Sequence, residues 1–239
     1  MTRVAINQSN YIPWKGYFDL IHDAALFVFY DDVQFTKNDW RNRNKLKTLS
    51  GSCWATIPVG SNLNRLIREV TPSGDLWQTK HWKTLNHLYG KAPYFKKYKN
   101  FLEHFYLDCK WENLSQINQY LIKHISQEYL GIKTRFLSSS ELSKEGRRQE
   151  RLLEMLSAAG AKTYVSGPAA KAYIEPEAFQ KAEIDLIWKD YSGYPEYHQF
   201  YPPFRHDVSI LDLLFHTGPD APYYIWGWRE ENRFSGDRP

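Results

Sequence analysis

The 239-residue sequence is short of several features that would point to a particular protein class. It has only two cysteines, Cys53 and Cys109, too few for a disulfide framework or a cysteine zinc site. No run approaches the roughly 18 apolar residues that cross a bilayer, and residues 1–7 lack the apolar core of a signal peptide. The net charge of +4 shows no strong excess of one sign. We therefore expect a cytoplasmic protein that does not span a membrane.

Motifs of several enzyme classes are also missing. The sequence has no glycine-rich phosphate loop, no serine-hydrolase elbow and no HExxH element. The basic residues between Asp31 and Thr48 are too few and too mixed with other types for a general nucleic-acid surface. No carboxylate lies at a metal-binding helical spacing from His198 or His206, so we expect no metal site. The cofactor, if there is one, stays open.

Aromatic residues are what the sequence has in excess. It contains 9 Trp, 17 Tyr and 13 Phe, which make up 16% of the chain. Aromatic rings with a polar edge stack on sugars, bases and cations. The excess therefore fits two interpretations equally well: a large aromatic core, or a ligand with flat or ring-shaped faces.

The first thirty residues predict the fold class. Arg3–Gln8 has the pattern of a buried strand, Trp14–Ala24 has apolar residues at helical spacings after Pro13, and Leu26–Tyr30 is a second buried strand. A strand, a helix and a strand in this order form a βαβ unit, which builds a parallel sheet with right-handed crossovers. We predict one α/β domain, residues 1–239, with a mostly parallel Rossmann-like sheet.

A helical insert at about 77–130 interrupts this alternation, and its apolar positions keep the helical period of core-packed helices. It follows a polar loop or short ribbon at Asp31–Thr48 and a strand at Trp54–Val59. After the insert the pattern predicts strands at Lys133–Leu137, Thr163–Ser166 and Ile184–Lys189, and helices at Arg147–Ala159, Pro176–Lys181 and Val208–Phe215. The end of the chain from Ser235 is expected to fray.

Ligands of open parallel sheets bind at the carboxyl ends of the strands, where the strand order reverses. The loop Gln8–Tyr17 offers amide, phenol and indole groups there. Asp31 and Asp32 follow the second strand and can hold Mg²⁺, act as a general base or lie in a solvated turn. Arg41 and Arg43 offer forked donors to a pyrophosphate, or they form surface salt bridges.

Three further segments carry weaker signals. Ser138–Ser140 and Tyr164–Pro168 place hydroxyl groups after predicted strands, although Ser-Gly-Pro is commonly only a turn. In the segment Tyr194–Asp212, His198 is a candidate acid or base. Ser209 has the character of an N-cap, and Asp212 needs a polar partner because it interrupts an apolar helix.

Taken together, these segments resemble the WbqC-like protein family, which occurs with bacterial O-antigen and other surface-polysaccharide genes. The resemblance covers nearly the whole chain and rests on Gln8–Phe18 (QSNYIPWKGYF), Tyr30–Phe35, Trp40–Asn44, Tyr164–Gly167, Tyr197–Gln199 and Ser209–Phe215. It implies transfer of glycine or another amino acid onto a sugar of the polysaccharide. The first βαβ unit also resembles the nucleotidylyltransferase and pantothenate-synthetase arrangement, with Trp14 and Tyr17 in place of the two histidines that bind ATP phosphates.

The leading hypothesis is an enzyme that joins an acyl or aminoacyl group to a nucleotide-linked or lipid-linked sugar. Asp31 or Asp32 is the expected base, with His198 as runner-up. The expected substrate-binding residues are Gln8, Asn10, Tyr11, Trp14, Tyr17, Trp40, Arg41, Asn42, Arg43, Asn44, Ser166, Gln199 and Asp212. The alternatives are a non-catalytic module that binds carbohydrate or nucleotide, and an ATP-dependent ligase.

Overall fold

A computed structural model describes residues 2–143 and 148–229 of the chain. In these residues one parallel sheet has the strand order β5-β2-β1-β6-β7, and β3 and β4 form a separate antiparallel hairpin. The predicted mostly parallel, Rossmann-like α/β fold is confirmed. The strands are β1 (Arg3–Asn7), β2 (Leu26–Phe29), β3 (Arg43–Thr48), β4 (Gly51–Thr56), β5 (Arg135–Ser138), β6 (Thr163–Ser166) and β7 (Asp185–Trp188).

The strand order reverses beside β1. The chain builds outward from β1 through β2 to β5, then returns to the other side of β1 with β6 and β7. A crevice opens where two neighbouring crossovers leave the sheet on opposite sides, at the carboxyl ends of the strands. In this protein that point lies between the ends of β1 and β6.

Alternate residues of β1 serve two different cores. Ala5 faces a large core that includes the insert, while Val4 and Ile6 face a smaller core on the other side of the sheet. Burial on both faces explains why the strand is a continuous apolar run. The helices are α1 (Lys15–His22), α2 (Leu76–Tyr89), α3 (Phe95–Glu103), α4 (Leu114–His124), α5 (Arg148–Ala158), α6 (Pro176–Lys181) and α7 (Ile210–Thr217).

The insert is built from α2, α3 and α4 as the structure describes it. The last two continue as π-helical turns at His104–Asp108 and Ile125–Tyr129, which accounts for the longer helices that the apolar pattern predicted. Many aromatic rings lie in the large core, among them Tyr89, Tyr98 and Phe215. For these rings the aromatic-core interpretation is correct.

The other predicted elements shift by a few residues. The expected strand Trp54–Val59 is β4, which lies three residues earlier and pairs with β3, so the polar stretch before it is partly a ribbon. Ser209 caps α7 as predicted, because its side chain accepts a hydrogen bond from the Leu211 amide at 3.2 Å. Arg147, the predicted first residue of one helix, and the residues from Ser235 onward lie outside the described residues.

In the described part of the chain, no helix has the length and apolar character needed to span a bilayer.

Candidate functional site

A crevice lies at the carboxyl ends of β1, β2 and β6, next to the first turn of α5. We call it the sheet-edge crevice. Its volume of about 540 Å³ falls within the range of roughly 300–1,000 Å³ that is usual for small-molecule sites. It combines an apolar floor with tyrosine rings and polar rim groups. Its lining is Ile6, Asn7, Gln8, Tyr30, Val33, Arg148, Gln149, Leu152, Tyr164, Tyr173 and Ile174.

A second, smaller cavity collects residues of the first loop and of the segment before β3. Its volume is about 300 Å³. We call it the tryptophan cavity, since two indole rings face it together with amide groups and one carboxylate. Such a lining can stack on a sugar ring and bond to its hydroxyl groups. The lining is Asn10, Pro13, Trp14, Trp40, Asn44 and Asp207.

The Arg41 guanidinium links one lining residue of each cavity. It donates to Gln8 Oε1 at 2.6 Å and also to Asn10 Oδ1. Gln8 lines the sheet-edge crevice and Asn10 lines the tryptophan cavity, so one arginine bonds to both linings. Asp39 lies 3.5 Å from the same guanidinium. The sequence-predicted residues Gln8, Asn10 and Arg41 therefore form one cluster.

Trp14 keeps its place because Gly16 has no side chain. A Cβ atom at Gly16 would lie 2.3 Å from Cζ2 of the Trp14 indole, well inside van der Waals contact. On its other side the indole packs edge-on against Tyr191 and Tyr194, with ring centroids 5.2 and 6.1 Å away. Gly16, in the first turn of α1, thus leaves space for the Trp14 indole that lines the tryptophan cavity.

Asp31 and Asp32 are both engaged by other parts of the chain. Asp31 is only 3% exposed and accepts hydrogen bonds from the Ser9 amide at 2.8 Å, from Gln119 Nε2 at 3.0 Å and from the Ser115 hydroxyl. Asp32 pairs with Arg151 and accepts from the Ser139 hydroxyl at 2.5 Å. The solvated-turn interpretation of these two residues is therefore wrong.

The three groups predicted to act as acid or base do not meet in one cluster. The lining residues of the two cavities include neither Asp31 nor Asp32. His198 is exposed in a different groove, beside His87 and Lys91. Their acid–base role stays a prediction. Asp32 is connected to the sheet-edge crevice through its partner Arg151, whose guanidinium lies over the ring of the lining residue Tyr30, 5.2 Å from the centroid.

Several predicted binding residues are buried and have structural partners. Tyr11 is fully buried and bonds to His81 Nδ1 at 2.8 Å and to the Tyr106 hydroxyl at 2.6 Å, and burial lowers the pKa of His81 to about 4. Tyr17 is buried too and donates to the Gln8 carbonyl at 2.8 Å. Neither ring offers a face to a ligand in this structure. The expectation that Tyr11 and Tyr17 stack on a substrate is corrected accordingly.

The remaining predicted residues lie at various depths. Asn42 and Asn44 are buried and donate to the carbonyls of Ile57 and Tyr11, at 2.9 and 3.1 Å. Arg43 stacks on the Trp54 ring, 4.2 Å from its centroid. Ser166 is buried at the end of β6.

Asp212 has the polar partners that its place in an apolar helix requires. Its carboxylate is fully buried and accepts from the hydroxyls of Tyr197 and Tyr89 at 2.6 and 3.0 Å, and from Gln199 Nε2 at 2.7 Å. Asp212 and Gln199 therefore tie the C-terminal loop to α7. Neither residue belongs to the described lining of the two cavities.

Lys15 is a residue of interest that the motif analysis passed over. Its ammonium group is buried, donates to the Pro195 carbonyl at 3.3 Å and lies over the Tyr194 and Tyr197 rings, 4.9 and 5.6 Å from their centroids. Burial lowers the pKa of Lys15 to about 8. Its position between Trp14 and Gly16, at the first turn of a helix, was the available signal.

Other residues of the two cavities were also missed. Asn7 and Tyr30 stand at the ends of predicted strands, where the fold rule points. Tyr173 is 72% exposed at the sheet-edge crevice and lies outside the signature segments, so it carried no local signal. Asp207 lies two residues before the signature segment Ser209–Phe215, and that position was the available signal.

We expect Gly16→Ala to displace the Trp14 indole, because the new methyl group and the ring need the same space. The cost in unfolding free energy should be about 1–3 kcal/mol. Fluorine NMR of 5-fluorotryptophan protein, with the Trp14 signal assigned by Trp14→Phe, should show that signal shifted. Gly227→Ala is the control, since its Cβ would meet no atom closer than 3.7 Å. An unmoved Trp14 signal would contradict this account.

Asp31→Asn should lower the free energy of unfolding by about 2–3 kcal/mol, because an amide group would face donors that now bond to a carboxylate. Urea denaturation measures this change. Asp108→Asn, at an exposed carboxylate in the insert that supplies the Asp31 partners, is the control. Unchanged stability combined with lost activity would instead indicate the catalytic role first expected of Asp31.

Comparison with known proteins extends the resemblance seen in the sequence. The sequence model of the WbqC-like protein family matches residues 8–224. A protein of Mycobacterium tuberculosis that bears the name "Uncharacterized protein Rv1507c" is 43% identical over 227 residues, which cover 94% of this chain and 98% of that protein. No solved structure matches the chain.

Proposed function

Because this chain belongs to the WbqC-like protein family, we propose that it is a transferase in the biosynthesis of bacterial surface polysaccharide such as O-antigen. It transfers an acyl or aminoacyl group, glycyl in the first instance, to an amine or hydroxyl of a sugar. The sugar arrives linked to a nucleotide or to a lipid. One observation carries this proposal: the Arg41 guanidinium donates both to Gln8, which lines the sheet-edge crevice, and to Asn10, which lines the tryptophan cavity.

Two cavities whose linings bond to the same arginine suit one substrate with two linked parts, a nucleotide and a sugar joined by a pyrophosphate. The sheet-edge crevice, with the exposed Tyr173 ring, is proposed to take the nucleotide. The tryptophan cavity takes the sugar, between the indoles of Trp14 and Trp40. The pyrophosphate then lies near Arg41, whose guanidinium carries five N–H donors and retains some beyond those that bond to Gln8 and Asn10.

In the proposed reaction the amine or hydroxyl of the sugar attacks the carbonyl carbon of an activated ester or thioester. A new amide or ester bond forms, the bond to the leaving group breaks, and the proton of the nucleophile passes to a base. We assign that base to Asp32, whose partner Arg151 lies over the Tyr30 ring of the sheet-edge crevice, and the reacting group of the sugar is therefore proposed to point toward that crevice. Burial raises the pKa of Asp207, but the hydrogen bonds from Arg205 and Lys45 outweigh it and lower that pKa to about 2. Asp207 therefore binds the sugar as a carboxylate.

A thermal-shift panel tests the substrate class. UDP-, GDP- and dTDP-linked sugars, ATP, acyl-CoA and glycine are added with and without Mg²⁺. A ligand at about 100 times its dissociation constant should stabilise the protein by roughly 2.7 kcal/mol. A response to one nucleotide sugar supports the proposal, whereas a response to ATP alone favours the ligase alternative. No response to any nucleotide contradicts a nucleotide-linked sugar as the substrate and leaves only the lipid-linked form.

Tyr173→Ala should weaken the binding of the nucleotide sugar identified by thermal shift, because a stacking ring is lost. We expect the affinity to fall about fivefold, or by about 1 kcal/mol. Titration calorimetry measures the affinity. Tyr223→Ala is the matched control, since Tyr223 is also an exposed tyrosine and is not part of the described crevice lining. Equal affinities for the wild type and Tyr173→Ala would remove Tyr173 from the site.

A non-catalytic binding module is the second candidate, and one observation favours it. The described lining of the sheet-edge crevice contains no His, Cys, Asp or Glu that would transfer a proton. Binding of a sugar or nucleotide needs only the rings and donors that are present.

Asp32→Asn separates the two candidates. A transferase that uses Asp32 as base should lose about 100-fold or more of its turnover and keep its thermal shift with the nucleotide sugar. Turnover is measured as transfer of a radiolabelled acyl or glycyl group. Ser139→Ala, which removes only a hydrogen bond to the same carboxylate, serves as control. Full activity of Asp32→Asn would exclude Asp32 as the base, and an absence of transfer in the wild type would favour the module.

A further inference from the structure

We propose that the outer face of the β3–β4 hairpin is a binding surface for an acidic oligosaccharide, continuous with the tryptophan cavity. This rests on the proposed function, in which the tryptophan cavity holds the acceptor sugar. We call it the hairpin face, made of Trp40, Arg43, Lys45 and Trp54. It assigns a role to Trp54, which no motif singled out, and it names the acceptor as a chain rather than a single sugar.

The hairpin directs these side chains to solvent by its register. Lys45 pairs with Trp54 and Arg43 with Thr56, and directly paired residues of an antiparallel ladder share one face. The opposite face, with Leu46 and Ala55, is buried in the core. Large aromatic side chains on the exposed face of a hairpin do not contribute to that core. Their exposure is therefore better explained by a ligand.

Two tryptophans dominate the hairpin face. Trp40 is 41% and Trp54 is 45% exposed, and their ring centroids are 5.5 Å apart with the planes tilted by 43°. Trp40 also lines the tryptophan cavity. A sugar chain that leaves the cavity past Trp40 therefore meets Trp54 next. The cavity, at about 300 Å³, is at the lower limit for a small-molecule site, so further sugars of an acceptor chain lie outside it.

The charges on and around the hairpin face indicate an acidic chain. The Arg43 guanidinium lies on the Trp54 ring and donates hydrogen bonds to Asn38. Among the described residues, Arg43 forms no ion pair with a carboxylate. The Lys45 ammonium lies 5.9 and 5.6 Å from the Trp40 and Trp54 centroids.

The charged residues on and around the hairpin face have a net positive charge. In the described part of the chain, the cations Arg41, Arg43, Lys45 and Arg205 are accompanied by the carboxylates Asp39 and Asp207. A sugar carboxylate matches the planar fork of Arg43, while the ring that bears it stacks on an indole. The proposed occupant is therefore an oligosaccharide that contains a uronic acid.

Titration calorimetry at low ionic strength tests the proposal with the wild-type protein and three probes: tetragalacturonate, the neutral tetrasaccharide maltotetraose, and monomeric galacturonate. We expect tetragalacturonate to bind about tenfold more tightly than either of the others. Trp54→Ala should weaken tetragalacturonate about fivefold to tenfold through the lost stacking surface. Arg43→Gln should remove the preference for the acidic tetramer.

Leu49→Ala is the control, since it truncates another exposed apolar side chain of the same hairpin and should leave all affinities unchanged. Failure of tetragalacturonate to bind, equal binding of both tetrasaccharides, or unchanged affinity in Trp54→Ala would each overturn the proposal. Thermal shifts with nucleotide sugars are recorded on the same samples. Tetragalacturonate binding without any nucleotide response would count against the nucleotide-linked substrate of the proposed transferase and leave the hairpin face supported. A nucleotide response without tetragalacturonate binding would overturn the hairpin face alone.

Discussion

The Asp31 carboxylate is the constraint on which the candidate site depends. It lies at the end of β2, accepts a hydrogen bond from the first loop at Ser9, and accepts further bonds from Ser115 and Gln119 of α4. A buried carboxylate is costly unless donors surround it, so these donors hold the insert against the sheet edge. On the same helix, Asn118 donates to the Arg41 carbonyl at 2.8 Å. One helix thereby positions both segments that line the cavities.

A second buried carboxylate anchors the C-terminal part of the chain. Asp19 of α1 is fully buried and pairs with Lys189 at 2.7 Å and with Arg229 at 2.9 Å, and it accepts from the Tyr194 hydroxyl at 2.5 Å. Tyr194 in turn packs against Trp14, a wall of the tryptophan cavity. The buried Asp19 carboxylate thus helps to position the Trp14 ring through Tyr194. Asp31 and Asp19 thus hold the scaffold, while amides, indoles and the Asp207 carboxylate line the tryptophan cavity.

Sequence reasoning predicted which segments come together at the sheet edge better than it predicted the surroundings of single residues. The rule that ligands bind at the carboxyl ends of parallel strands pointed to the loop after β1 and the segment after β2, and Gln8, Asn10 and Arg41 do meet there. Tyr11, one residue further on, points into the core instead. Neighbouring positions in an irregular loop have no periodicity that separates the exposed from the buried side chain. Tyr173 joined the sheet-edge crevice from a stretch that no motif marks, while Asp207 joined the tryptophan cavity from between two signature segments.

The sequence by itself determined the order of strands and helices, the parallel sheet and the cap of α7 at Ser209, because periodicity and capping depend on residues within one or two turns. It also determined which residue types are gathered at the sheet edge. Only the tertiary structure decided which of those residues remain free to meet a ligand. The partners of Asp31 on α4 lie more than 80 residues away in the chain. A carboxylate, a phenol or an indole is buried or exposed according to such distant partners, and the local sequence does not encode that choice.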